Sequence, residues 1–579
     1  MYNTKIVNCD TELLEQQKKS LINEIVYGSN EKIRVFDLEC GTGKTLTSEE
    51  ALAKMVTETN RNALFVRMTK EQCRESARRI NDLCKQQIAF VFNNEDVKEE
   101  ERYEVQKQLY NYRVLCITHQ KYLVLQSDKS NRKFFAKGRH TLVIDEFPND
   151  IEKLSIDLNL FDKYKTILKV DTTMIGYYDE IILLLKDYLL ANTNTQREFP
   201  KFEKVGILSK IDELKRLVRS NFNILEPFAE NITVKAVCNH LDNIKEFYNR
   251  TCIYDNGTIY TTNSKYQRWL LDNNIILDAS GDLQIAYKSD NGMYKLENLP
   301  AVLNHGKWII YNLIANSTSA GKERIINYYD IVNQIIMDNE DCLVVCKKDE
   351  LKYYDCEHKA YFGDLIGSND YRDLKNVVVV HTPNLTDIDY ILRYLIYYRD
   401  EIDKPNPKGR LIGNGLTSRW EFVSSKFEKI REKWIANEIY QAIKRVNRNM
   451  LHDTKCYMIC NNTNAVNMVV EKLKNCTVKT IDDLNFEFNY SKRNEYIGKL
   501  KQNSYASKFI QLMAELLDRQ HSELEDKDYK YRKKVICKYL NIDSANFSHQ
   551  ITSKTEVIEY CKQRNISLSG QFITLPQKS

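Results

Sequence analysis

Three stretches of this 579-residue chain carry residue types that could do chemistry together: Cys40-Gly41-Thr42-Gly43-Lys44-Thr45, Val143-Ile144-Asp145-Glu146 and Gln441-Ala442-Ile443-Lys444-Arg445-Val446-Asn447-Arg448. In the first, Gly41 and Gly43 let backbone N–H groups close around a phosphate without Cβ clashes, and a helix start adds its positive end. Lys44 suits β- and γ-phosphates, and the Thr45 hydroxyl suits magnesium. The full eight-residue form of such a loop has glycine where this chain has Leu38.

Asp145 and Glu146 close the apolar run Leu142–Ile144, which is expected to lie beside the strand that feeds the phosphate loop. Adjacent carboxylates there have separable tasks. Asp145 can hold magnesium through its water shell, and Glu146 can polarise an attacking water. Gln441, Arg445 and Arg448 fall at i, i+4 and i+7, one face of a helix. Two arginines beside a glutamine suit the equatorial oxygens of a transferring phosphoryl group, reached from a second domain. The alternative is a solvated basic face, because Lys444 lies among them and Glu432, Lys433 and Glu438 precede them.

These residues need strands and helices to hold them. Residues 31–150 alternate the two signals. Ile33–Leu38 is a short apolar strand, a helix opens at about Lys44, and Ala63–Val66, Val114–Ile117 and Leu142–Ile144 read as further buried strands. That is the pattern of a parallel α/β sheet. Residues 151–250 change to helical spacing, seen in Ile181–Leu185 with Leu189 and in Ile207/Ile211/Leu214/Val218. Asn256-Gly257 between alternating strands is a two-residue hairpin signal, read either as plain scaffold or as a strand-separating pin. The α/β pattern resumes with Ile275–Leu277, Cys342–Val345, Val377–Val380 and Cys456–Ile459, and the last ninety or so residues read as mostly helical.

Composition sets the outer bounds. The length implies roughly three to five domains, and a hydrophobic content of 42% is enough to fold them. There is no apolar run of membrane-spanning length and no signal-peptide core in Met1–Lys5, so a soluble, cytoplasmic protein is expected. The 15 cysteines include no CxxC pair and read as reduced core residues. The net charge of +5 is small for this length, but from Ser491 onward 16 Lys/Arg face 10 Asp/Glu, which accounts for the whole excess. Within that stretch Tyr531-Arg532-Lys533-Lys534 with Lys538 reads either as a small DNA-binding module or as a solvated basic helix. The abundance of Lys, Asn, Ile and Tyr beside 8 Pro fits A/T-rich codons and suggests bacterial, phage or plasmid origin.

With these residues in order, the chain resembles the superfamily 2 helicases. Gly41–Thr45 looks like their motif I, Asp145-Glu146 their motif II and Gln441–Arg448 their motif VI, across roughly residues 10–475. The resemblance is to the branch of the excision-repair and DNA-damage-inducible helicases, where motif VI has a glycine in place of Lys444. It implies ATP bound by Cys40–Thr45, magnesium on Thr45 and Asp145, and catalysis by Lys44, Asp145, Glu146, Gln441, Arg445 and Arg448. Ile276–Asp282 is similar to motif III, so Asp278 and Ser280 are its coupling residues. Gly367, Asn369 and Asp370 are similar to motif V. Thr69, Thr118 and Ser368 match strand-end positions that hold a nucleic-acid backbone, and Gln17 (or Gln16) matches an adenine-reading glutamine. That branch carries a four-cysteine iron–sulfur cluster between motifs Ia and II. Cys73, Cys84 and Cys116 do not supply its spacing, so no cluster is expected.

The expected architecture is α/β. It comprises a RecA-like domain over 1–150, a helical insertion over 151–250, a return to that domain over 251–300, a second RecA-like domain over 301–480 and a basic, mostly helical domain over 481–579. The implied partner is DNA, as single strand or opening duplex, with no membrane. Left open are an RNA helicase with the same engine and a nucleic-acid-stimulated ATPase switch that does not unwind.

Overall fold

The computed structural model describes residues 6–576 except 94, 96, 127, 149–150, 193–196, 222–232, 264–268, 289–291, 366–369, 399–405, 414, 483–484, 489–504, 523–529, 541, 544–545 and 569. Two compact units separate. The larger comprises Met1–Lys322 with Asn327–Phe486, and the smaller Glu323–Ile326 with Glu487–Ser579.

The larger unit is built on two all-parallel sheets, the two RecA-like domains. In the first the spatial order is Tyr294–Leu296, Ile33–Phe36, Asn273–Leu277, Thr141–Asp145, Ala63–Arg67, Val114–Thr118, Ala89–Val91. Its strands are short and apolar because both faces are covered. Leu21, Leu52 and Ile80 pack on one side, and Tyr122, Phe135 and Trp269 on the other. This order corrects one expectation. The strand ending in Asp145 does not neighbour the phosphate-loop strand, because Asn273–Leu277 lies between them, pairing Ile275 with Arg34 and with Val143. The chain leaves the sheet after Asp145, runs through the insertion and returns into the gap. The tips of residues 36, 145 and 277 are thereby brought to one edge.

The second sheet runs His358–Tyr361, Cys342–Cys346, Asn376–Val379, Thr454–Ile459, Trp308–Leu313, Thr477–Ile481. The long helix Ser425–Ile443 packs on it through Ile435, Ala436, Ile439 and Ile443. In sheets of this kind ligands gather at the carboxyl ends of the strands, which is where the charged residues sit.

The insertion is helical, with Leu158–Leu168, Thr172–Ala191, Ile207–Ser220 and Val234–Lys245 around their own core. It also contains a three-stranded antiparallel sheet, Lys153–Ile156, Thr258–Thr262 and Ile253–Asp255. The last two form the Asn256-Gly257 hairpin, with both turn residues at positive φ, 46° and 77°. Arg197 of the insertion pairs with Asp255 and, at 3.1 Å, with Asp387 on the helix Asp387–Tyr397 that follows the second sheet's strand Asn376–Val379. Among the described residues no helix is long and apolar enough to cross a membrane.

The smaller unit has its own core of Phe509, Met513, Ile536, Phe547, Ile551, Val557 and Ile573. Alongside the expected helices it holds an antiparallel ladder, Lys530–Arg532 with Phe572–Thr574.

Candidate active site

The phosphate loop follows the strand Ile33–Phe36 and runs into the helix Lys44–Glu58. Gly41 and Gly43 have φ of +90° and +87°, the left-handed region that aims successive N–H groups inward and that side chains resist. A Cβ on Gly43 would meet nothing within 4 Å, so the loop's mouth is open. A Cβ on Gly41 would stand 3.2 Å from the Arg448 carbonyl oxygen. The two distant sequence stretches are therefore in contact. Lys44 Nζ reaches back across the loop to the Leu38 carbonyl at 3.0 Å, and Thr42 Oγ1 donates to the Glu39 carbonyl at 2.7 Å.

Thr45 Oγ1 donates to Asp145 Oδ2 at 2.8 Å, so the two side chains expected to share magnesium already share a hydrogen bond. A hydroxyl and a carboxylate in contact at the foot of an open phosphate cradle fit the hard oxygen-ligand preference of magnesium and its habit of binding between protein and phosphate. His119 Nε2 lies 2.8 Å from the Asp145 carbonyl oxygen, and Arg67 Nη1 lies 3.4 Å from Asp145 Oδ2. Arg67 is buried and ties into Ser76 and Glu49 as well. The sequence signal for Arg67 was a charged residue closing an otherwise apolar buried strand.

Glu146 leaves the strand at φ +68°, its N–H donating to the Leu277 carbonyl at 2.9 Å. Burial pushes its carboxyl above the ordinary range. The Arg445 guanidinium is the largest opposing influence, with the Asp145 charge adding to the rise. A carboxyl whose pKa is raised is, once ionised, a stronger base toward a water proton than an ordinary carboxylate.

Gln441 sits on the last turn of the helix, but Arg445 and Arg448 do not. The helix ends at Ile443 with Lys444 as its cap residue, so the expectation of a single helical face is corrected. The chain breaks out because Asn447 adopts φ +41° and its side chain builds an irregular turn. Its Oδ1 accepts from the Leu451 and His452 amides, and its Nδ2 donates to the His452 carbonyl and to Thr454 Oγ1, both at 2.8 Å. Asparagine tolerates that backbone region, which is the signal the sequence offered. Arg445 Nη2 donates to Gln441 Oε1 at 3.2 Å, and burial drops the Arg448 guanidinium to about 10.

A polar relay crosses between the sheets. Gln441 Nε2 donates to Ser280 Oγ at 3.2 Å, Ser280 Oγ to Asp278 Oδ1 at 2.7 Å, and Tyr287 OH to Asp278 Oδ2 at 2.9 Å. The expected motif III residues thus meet the expected motif VI glutamine. Cys40 Sγ stands 3.8 Å from Gln441 Oε1. Glu39, which the sequence reading passed over, accepts from the Val302 and Leu303 amides at 2.6 and 2.8 Å and fastens the inter-sheet segment to the loop. Lys444 is buried with Nζ 2.8 Å from His305 Nε2 and 5.0 Å over the Trp308 ring, and burial lowers it to about 8.

Beside this cluster a cavity of about 600 Å³ opens, lined by Glu146, Ser280 and Gln441 and by Lys347, Tyr361 and His381 from the second sheet's strand ends. Glu438 also lines it, and burial raises its carboxyl to about 7.

Other expected residues are placed differently. Thr69 caps the helix Lys70–Cys84 in a capping box with Gln72, and Thr118 caps His119–Val124, jobs that account for threonine at both strand ends without nucleic acid. Gln17 is buried, its amide donating to the Pro300 carbonyl at 2.7 Å. Gly367, Ser368 and Asn369 lie outside the described residues, and Asp370 follows them.

Residues 9–176, which include both the phosphate loop and Asp145-Glu146, match a family model described as Type III restriction enzyme, res subunit. No curated protein matches the chain. Among solved structures, a truncated XPD is 14% identical over 46% of this chain and 93% of its own, with a TM-score of 0.30. S. cerevisiae Dbp5 bound to RNA and ADP BeF3 is 11% identical over 85% of this chain and 99% of its own, with a TM-score of 0.33. The DUF1998 helicase MrfA bound to DNA and AMPPNP is 9% identical over 100% of this chain and 63% of its own, with a TM-score of 0.32. Likeness at that level bears on neither substrate nor mechanism.

Proposed function

Taking the chain as a superfamily 2 helicase, we propose that it is an ATP-driven motor acting on DNA strands, hydrolysing ATP in the cleft between its two RecA-like sheets. The observation that carries this reading is the meeting of three stretches at one point: Thr45 bonded to Asp145 beneath a glycine loop whose Gly41 abuts Arg448.

The loop amides and Lys44 bind the β- and γ-phosphates. Thr45 and Asp145 are the residues that would hold magnesium, which when bound would supply positive charge to neutralise the phosphates. Glu146 orients the attacking water and takes its proton. Arg445 and Arg448, delivered from the second sheet, stabilise negative charge on the transferring phosphoryl group. Because the arginines and the loop belong to different sheets, cleavage changes what holds the sheets together. The Gln441–Ser280–Asp278 relay passes that change to the strand ends. Strand grip belongs to those ends, where Lys347 and Tyr361 line the cavity beside Glu146.

The test is ATP turnover by the full chain with single-stranded DNA, single-stranded RNA or no nucleic acid, together with strand displacement on matched DNA and RNA duplexes. DNA-stimulated turnover and DNA displacement are expected, and Lys44→Ala should lose at least about a hundredfold in turnover and bind ATP more weakly. Stimulation by RNA alone would make it an RNA motor. Stimulated hydrolysis with no displacement or translocation would make it a switch.

A further inference from the structure

The three-stranded sheet of the insertion belongs by chain to the first RecA-like domain, yet it rests on the second. Its support is the helix Asp387–Tyr397. The N-cap residue Thr386 donates to Asp389 Oδ2 from its amide at 3.3 Å and from its hydroxyl at 2.5 Å, and Asp387 also lies in the first turn. Carboxylates there complement the positive end of the helix. They also offer negative charge outward, and the insertion supplies the cations. Lys153, on the first strand of the small sheet, has Nζ 3.0 Å from Asp389 Oδ1. Arg197 uses all three guanidinium nitrogens: Nε donates to Asp255 of the hairpin at 3.2 Å, Nη2 to Asp387 at 3.1 Å and Nη1 to the Pro407 carbonyl at 3.3 Å. A planar fork satisfied in three directions fixes hairpin, helix and loop relative to one another. Between these polar contacts, Phe199, Ile253 and Tyr260 of the insertion join Ile388 and Ile391 of the helix in one apolar cluster.

The same helix lines the cavity beside the reaction centre through Arg393 and Tyr397, together with Glu146 and Gln441. A single helix thus meets both the insertion and the cavity. In the structure the cleft is closed, with Gly41 against Arg448 and Gln441 bonded to Ser280, and the insertion is seated. The insertion leaves the first sheet after Asp145 and the chain rejoins that sheet at Asn273, so it is tethered there at both ends. Moving the second sheet away carries the helix Asp387–Tyr397 from under it, and the seat has to part. Its ion pairs are the adjustable component. Arg197 and Lys153 keep 22% and 37% of their side-chain surface, enough for solvent and salt to screen them.

We propose that the insertion is a clasp: seated on the helix Asp387–Tyr397 through Arg197 and Lys153, it holds the cleft closed and slows its reopening after each hydrolysis. The rate effect rests on the motor reading, whereas the seat stands on its own contacts.

The experiment measures ATP turnover by the full chain at saturating ATP without nucleic acid, at about 50 and about 500 mM salt, for the parent, Arg197→Ala, Asp387→Ala and the double variant. Each single variant should turn over about threefold faster than the parent at low salt, because reopening limits the cycle. The double variant should be no faster than the faster single, since both remove one interaction, and high salt should bring the parent up to them. Seating is read separately with a zero-length carbodiimide, which joins an amine to a carboxylate only where the two are in contact. Peptide mapping should find Lys153 coupled to Asp389 in the parent, with the yield at least about threefold lower in Arg197→Ala and at high salt. Turnover unchanged or slower in both single variants, additive acceleration in the double variant, or no such cross-link in the parent overturns the clasp. A parent without ATP turnover, with or without nucleic acid, overturns the motor, and the cross-link then decides the seat alone.

Discussion

Replacing Arg445 by alanine isolates what the second sheet contributes to hydrolysis. The side chain is buried, bonds to Gln441 at 3.2 Å and is the strongest influence holding the Glu146 carboxyl down against its desolvation. Its loss acts in two ways. Removing one charged donor from a developing phosphoryl charge costs about a hundred- to a thousandfold in kcat, about 3–4 kcal/mol of barrier. ATP affinity should change less than about threefold, because the ground-state grip belongs to the loop and Lys44. Second, the Glu146 carboxyl rises further. A base must be ionised to accept a proton, so kcat falls on the acid side of its pKa, and raising that pKa moves the acid limb of the pH profile to higher pH. Arg445→Lys restores charge without the planar fork, so the acid limb should return toward its parental position while kcat stays low. Single-turnover hydrolysis with a pH series, and ATP affinity from a fluorescent analogue, read all of this. Turnover within about threefold of the parent, or a loss confined to ATP affinity, would refute the assignment of Arg445 to the transition state.

Gln441→Ala breaks the relay to Ser280 and Asp278 and also removes the contacts with Cys40 and Arg445, so ATP turnover should fall, and strand displacement should fall at least about tenfold more, measured on the same preparation. Asn447→Ala removes the acceptor for two backbone amides and places alanine at φ +41°, a loss of about 2–3 kcal/mol, visible as a drop in Tm of several degrees. Glu438 is raised to about 7, so between the unfolded carboxyl value and pH 7 the native state holds a proton the unfolded chain has released. That proton-linked stability is present at low pH and is lost as pH rises to 7, at most about 3 kcal/mol. Glu438→Gln should accordingly raise Tm at pH 8 and leave it nearly unchanged at pH 4.

What the sequence by itself determined was local. Glycines at 41 and 43 followed by Lys-Thr require a left-handed loop ahead of a helix, and the apolar runs with Asp145 at one tip are strands because only a doubly covered parallel sheet buries them so fully. The Asn256-Gly257 turn was legible for the same reason, since the backbone angles it needs are met by those two residue types. Tertiary structure decided the rest. Strand order depends on where a chain returns after a long insertion, so nothing near Asn273–Leu277 could say that it would separate the strands bearing the loop and Asp145. Periodicity runs on through Lys444, but the helix stops because Asn447 gains a set of partners in the strand and turn that follow, and that gain outweighs another helical turn. The contact of Gly41 with Arg448, and the polar chain from Gln441 to Asp278, join residues some four hundred and some hundred and sixty positions apart. Only the packing of one sheet against the other could create them.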